Sequence, residues 1–302
     1  MLELIQALPS PKYFLCKGAL AVQFAVDLPH FGPFSNPRLV AELAHEAEEA
    51  GWNGFFIWDH LNYNQEGLAS PVEIADPWLL LAAIALHTKS IKLGPMVTPL
   101  PRRRPWKLAR ETVTLDHLSG GRLILGLGLG TNFYGEYHDF GESTDIRTHG
   151  ERLDEGLAIL TRLWSGEQFS YEGQHYQISQ VQFLPKPLQP HIPIWLAGNW
   201  PHKKPFRRAA QYNGIFPQRI DRALTPEDMR ELVGYIQQQR TQTAPFDVVA
   251  FGLTSGTDKG RAAAHVASFA QAGATWWLES FDPLQTLEQV RQRIQQGPPE
   301  VR

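Results

Sequence analysis

Eight short apolar runs rich in Val, Ile, Leu and Phe recur along the chain, each giving way to a longer stretch with helical spacing. They occupy residues 19–26, 53–58, 91–97, 122–128, 192–198, 213–217, 246–253 and 274–279. Such lengths suit strands buried on both faces, and most of the runs are closed by Gly, Pro or Asp. Eight strand-helix units in sequence predict an α/β fold, a single (β/α)8 TIM barrel spanning residues 19–302, with residues 1–18 as an N-terminal extension. In such a barrel the chemistry gathers at the C-terminal ends of the strands, so those ends are where functional residues belong.

The charge balance narrows the partners. With 28 Lys and Arg against 31 Asp and Glu, the net charge of −3 leaves no basic field for nucleic acid or an anionic membrane, and a small-molecule ligand is expected. Cys16 is the sole cysteine, which excludes an intrachain disulfide and a cysteine-based zinc site; no metal is expected. The opening residues carry Glu3, Pro9 and Pro11 without a signal-like apolar run, and no stretch reaches the roughly 18 apolar residues of a membrane span. The expected compartment is the cytoplasm.

Local signals mark the helices. Asn36-Pro37 and Asp76-Pro77 each set a capping side chain before a proline at the first helical position, and Thr225-Pro226-Glu227-Asp228 does the same before the sixth helix. Further helices are expected over 105–118, 148–164, 257–272 and 282–295, and the Gln237-Gln238-Gln239 run reads as a solvated helix end. Two connections break the rhythm. The long connection over residues 166–191 contains residues 168–178, which alternate aromatic and polar side chains about Glu172-Gly173 and predict a β-hairpin inserted before strand five. Residues 131–147 form a long loop after strand four, and its Phe133, Tyr134, Tyr137 and Phe140 either face an apolar ligand or pack the loop onto its scaffold.

Four strand ends carry chemistry. Asp59 and His60 directly follow strand two, where a carboxylate and an imidazole suit proton transfer, although a loop cap and a scaffold hydrogen bond account for them equally. In strand three, Gly94 and Pro95 are awkward in a regular ladder and predict a bulge. Beyond it, Arg102-Arg103-Arg104 either meets an anion or forms a solvated loop. Gly126-Leu127-Gly128-Leu129-Gly130 imitates a dinucleotide loop, but no helix follows it, so small residues that admit a flat ring are the better reading. Last, Ala197-Gly198-Asn199 leads through His202-Lys203-Lys204 toward a helix, an arrangement that suits a phosphate.

These segments resemble the bacterial-luciferase-like flavin-dependent oxidoreductases. The likeness rests on Glu49-Ala50-Gly51-Trp52, Trp58-Asp59-His60-Leu61, Leu115-Asp116-His117-Leu118-Ser119-Gly120-Gly121-Arg122-Leu123, Pro193-Ile194-Trp195-Leu196-Ala197-Gly198 and Ala272-Gly273-Ala274-Thr275-Trp276-Trp277-Leu278-Glu279. It implies a flavin-type ring held against strand three at Met96, Val97 and Thr98, with a cis peptide at Met96-Val97. Gly128 and Gly130 would line the ring pocket, the phosphate would lie near Ala197, Gly198 and Asn199, and Asp59 and His60 would face the reacting side.

Three activities fit that resemblance, and the overall motif set, which resembles the general flavin class, favours the first. The first is a monooxygenase that uses oxygen and reduced FMN supplied by a separate reductase. The second is a hydride-transfer enzyme using the deazaflavin coenzyme F420, and the third a non-catalytic flavin-binding or accessory subunit. The Asp-His pair resembles the deazaflavin branch. The sugar-phosphate dehydrogenases of that branch, however, carry a Glu just after the strand-four glycines, where this chain has Thr131 and Asn132. The resemblance also implies a homodimer, paired through helices two and three.

Overall fold

The computed structural model describes residues 22–301. The expected extension over residues 1–18, Cys16 and the first residues of the first run lie outside that range. All eight expected barrel strands form. They are β1 (Gln23–Leu28), β2 (Gly54–Ile57), a third strand in two pieces, β3 (Lys92–Pro95) and β4 (Thr98–Pro99), then β5 (Leu125–Gly128). After the hairpin β6 (Phe169–Glu172) and β7 (Gln177–Val181) come β8 (Ile194–Asn199), β9 (Gly214–Gln218), β10 (Asp247–Gly252) and β11 (Trp276–Ser280). The parallel order is β3-β2-β1-β11-β10-β9-β8-β5-β4, and a bridge from Leu93 to Leu123 joins β3 back to the stretch before β5. The barrel therefore closes, with two of its nine strand pieces sharing one position.

Among the described residues eight α-helices cover it: α1 (Pro37–Glu49), α2 (Pro77–His87), α3 (Pro105–Ser119), α4 (Ile146–Trp164), α5 (Lys203–Ala209), α6 (Pro226–Gln239), α7 (Lys259–Gln271) and α8 (Leu287–Gln295). The caps read from sequence are made: Asn36 Oδ1 accepts from Arg38 N at 3.0 Å, Asp76 Oδ1 from Trp78 N at 2.9 Å, and Thr225 and Asp228 form a capping box. Three starts differ from expectation. α4 begins at Ile146 because Asp145 caps it, α7 begins at Lys259 because Asp258 caps it, and α8 begins at Leu287 because Thr286 and Gln289 make a second capping box. Among the described residues no helix is long and apolar enough to cross a membrane.

The strand-three irregularity falls one step later than predicted. Pro95 keeps register with Ile57, and the ladder breaks at Met96-Val97, whose peptide bond is cis. Gly94 has a different reason to be glycine. A Cβ there would stand 1.8 Å from the Ile124 carbonyl oxygen, and one on Gly126 would stand 2.3 Å from that of Pro95. Strands three and four thus approach backbone to backbone, which only glycine permits.

Inside the barrel, Phe56, Ile124, Trp195, Phe216, Trp276 and Leu278 pack into one buried cluster. Trp195 and Trp276 both donate their indole N–H to Asp247, at the start of β10. This largely aromatic plug fills the barrel below its C-terminal mouth.

Candidate active site

Asp59 and His60 follow β2 at the barrel mouth, as the sequence implies, but their surroundings differ sharply. The Asp59 side chain is fully buried and accepts from Thr98 Oγ1 at 2.7 Å, from Arg102 Nη2 at 3.1 Å and from Arg103 Nη2 at 2.8 Å. Burial alone would raise its carboxyl; the two guanidinium groups and the Thr98 hydroxyl outweigh that and hold it below the usual carboxylate range. Thr98 thus turns its hydroxyl toward Asp59.

His60 sits beside a carboxylate that the sequence did not single out. Its Nδ1 lies 3.0 Å from Oε2 of Glu136, whose Oε1 accepts from Arg102 Nη1 at 2.8 Å and from the Leu61 N–H at 2.6 Å. Burial would raise Glu136, yet the hydrogen bond from His60 and the charges of His60 and Arg102 hold it low. An ionised Glu136 accepts only, so Nδ1 donates to it, and Nε2 is the nitrogen whose lone pair the neutral ring would present. Among the described residues Nε2 makes no hydrogen bond.

Glu136 reaches this position because the loop after β5 folds on itself. Asn132 Oδ1 accepts from Tyr137 N and His138 N, while the Tyr137 hydroxyl donates to the Leu129 carbonyl at 2.6 Å. The loop aromatics then take different surroundings. Tyr134 stands 5.8 Å from the His60 ring and 4.3 Å from Tyr63, and Tyr137 stacks on His149 at 4.0 Å as scaffold. Phe133 and Phe140 are exposed. Phe31, Trp58 and Tyr63 complete an aromatic wall around His60.

A second residue missed in the sequence is His30. It is wholly buried, donates from Nδ1 to the Ala75 carbonyl at 2.7 Å and accepts the His60 N–H at Nε2, 3.1 Å away. Both nitrogens are committed in the neutral form, and burial pushes its pKa down to about 4. The side chain fixes the backbone of His60 and carries no charge at neutral pH. Nothing local could have identified it, because its partners come from two other loops.

The residues expected to line a ring pocket largely converge. A Cβ on Gly128 would lie 3.0 Å from Val97 and 3.3 Å from Ala197, so the ends of β5 and β8 meet the Met96-Val97 break. Gly130 stands apart: with φ +73° it turns the chain beneath Tyr137, and a Cβ would touch that hydroxyl. Gly198 is also constrained by packing, since a Cβ would meet Pro205 at 2.6 Å. Asn199 ends β8, and its carbonyl accepts from His202 N. Of the cations beyond it, Lys203 lies over the Trp200 ring at 3.6 Å and Arg208 holds Asp154. Lys204 instead faces α4, where a Cβ on Gly150 would lie 3.7 Å from its Nζ.

The family described as luciferase-like monooxygenase matches residues 22–299. The F420-dependent glucose-6-phosphate dehydrogenase of Amycolatopsis mediterranei is 30% identical over 60% of this chain and 53% of its own length. The oxygenase component of the flavin-dependent trigonelline monooxygenase of Acinetobacter baylyi is 30% identical over 64% of this chain and 51% of its own. The chain thus spans about half the length of these two relatives. In fold, it is similar to the F420-dependent tetrahydromethanopterin reductase of Methanopyrus kandleri, with a TM-score of 0.72 at 18% identity, covering 91% of this chain and 97% of that one. With the match running through the whole barrel, the chain belongs to the luciferase-like family of flavin- and F420-dependent oxidoreductases.

Proposed function

We propose that this protein transfers a hydride between the deazaflavin coenzyme F420 and an alcohol or carbonyl group of a small organic substrate, with His60 moving the accompanying proton. The observation that carries this reading is the Glu136-oriented His60, whose Nε2 is free at the barrel mouth. Thr131 and Asn132 still stand just after the strand-four glycines; the carboxylate at His60 comes from Glu136, farther along the same loop.

The residues fit such a coenzyme. Val97, Gly128 and Ala197 form a small-residue cradle that any larger side chain at Gly128 would fill, and Lys204, in the first turn of the helix that follows Asn199, offers a cation for a phosphate group there. When bound, the deazaflavin supplies a ring carbon that accepts or returns a hydride.

In the oxidative direction His60 Nε2 takes the hydroxyl proton as the carbonyl forms; in the reductive direction it returns that proton. Glu136 holds the ring in the required tautomer and stabilises the imidazolium, as a carboxylate behind a catalytic histidine does. Arg102 keeps Glu136 ionised. Asp59 has no oxygen to spare for proton transfer and acts by positioning Arg102 and Arg103. His60→Ala is expected to lower turnover about 100-fold or more while leaving coenzyme affinity within about threefold. Equal losses in both would remove the proton-transfer role.

A second reading is favoured by the aromatic wall of Phe31, Tyr63 and Tyr134, which shields the reacting face from water and suits a monooxygenase using reduced FMN from a separate reductase. Substrate-dependent oxygen consumption distinguishes it. We also propose that two copies pair through α2 and α3.

A further inference from the structure

Beside the mouth, between the turn after β4, the first turns of α4 and the tip of the β6–β7 hairpin, lies a cleft with about 360 Å³ of empty space, part of it open to solvent. Four arginines line it: Arg102, Arg103, Arg104 and Arg152. Glu142 is the one carboxylate among the lining residues, and Arg152 Nη1 donates to it at 3.1 Å.

The cations exceed their acceptors. Arg102 and Arg103 share Asp59 and Glu136 between them. Arg102, with its side chain only 4% exposed, still leaves Nε buried with no acceptor. Arg104 is exposed and joins no ion pair among the described residues. On the hairpin side, His175 Nε2 lies 3.1 Å from Glu151, a carboxylate that does not itself line the cleft. Tyr176 lines the cleft beside Arg104 and Arg152; burial raises its phenol and those two cations pull it the other way. None of Val97, Gly128, Ala197 or Lys204 lines this cleft.

We propose that the cleft is an oxyanion-binding site for a phosphate or carboxylate group, separate from the coenzyme cradle. Planar guanidinium forks converging from two elements match an oxyanion's geometry, and a buried N–H without an acceptor gains most from receiving one. The wall nearest the mouth is the same Arg102–Arg103 pair that holds Asp59 and Glu136, so an anion here lies one side chain from the His60 network. The assignment does not depend on which coenzyme the barrel takes.

The test is calorimetric titration of the full-length protein with inorganic phosphate at constant ionic strength, with and without the coenzyme it binds. Saturable binding is expected, weakened at least about tenfold in Arg104→Gln/Arg152→Gln, unchanged in Lys204→Gln, and persisting when coenzyme is bound. Thermal unfolding checks that the double variant is folded, and the single Arg104→Gln, at an exposed side chain, gives the same readout if it is not. Absence of saturable binding, equal binding by the arginine variants, or loss in Lys204→Gln would overturn the site. Displacement of phosphate by coenzyme would assign the anion to the coenzyme's own phosphate arm and overturn the separation.

Discussion

Asp27, near the end of β1, shows how one side chain can set a pH response. Trp58 Nε1 and the Ser280 hydroxyl both donate to its Oδ2, at 3.1 and 2.8 Å, and its Oδ1 is buried without a partner. Burial pushes the carboxyl up to about 7, against the pull of those two hydrogen bonds. Between about pH 4 and 7 the unfolded chain has therefore released a proton that the folded one keeps, so this group's contribution to stability falls as pH rises through that window and levels off above it. His30 acts in the opposite sense: its depressed pKa costs stability as pH falls from about 6.5 toward 4. Asp27→Asn removes only the first effect. Relative to the parent, the variant should gain up to about 4 kcal/mol between pH 4 and 7, read from thermal unfolding across that range. A difference that does not change with pH would rule out a protonated Asp27. At this scale the sequence revealed Asp59 and His60, because they directly follow an apolar run. It concealed Glu136, His30 and the burial of Arg102 and Arg103, because each depends on loops that meet only in three dimensions.

Elements were far more legible, since caps and strand runs are written locally. Helix starts at Asn36, Asp76 and Thr225 needed only a few adjacent residues, and the hairpin followed from its alternation. The start of α4 was missed because Asp145 lies in a loop whose polar residues look alike until one of them caps. The stretch around Arg122 was recognisable as a motif without its reason. The structure supplies one: the buried guanidinium donates to the carbonyls of Ala85, Thr88, Ile91 and Ser119 and to the Thr88 hydroxyl, tying the end of α2 and the end of α3 to the strands. Arg122→Met keeps much of the volume but strands several buried acceptors, so a loss of about 3 kcal/mol or more is expected in denaturant unfolding. A change below about 1 kcal/mol would mean that the clamp is not structural.

For the whole molecule, eight repeated units predict a barrel, and the barrel predicts which end reacts, but neither names a reaction. The same holds for assembly. Except for His87 at its end, α2 consists of proline and apolar residues, and it exposes Leu79 and Leu86 on its outer face although its other side is packed against the barrel. A helix apolar all round is usually covered on both sides. Leu79→Asp/Leu86→Asp is accordingly expected to convert a dimer into a folded monomer in light scattering. A parent that is already monomeric would remove the pairing proposal. The central claim is the coenzyme, and the most direct measurement is an anaerobic titration of the purified protein with F420 and, separately, with reduced FMN, followed by fluorescence and absorbance. Saturable binding of F420 with at least about tenfold preference is the predicted result; preference for reduced FMN, or binding of neither, would contradict it.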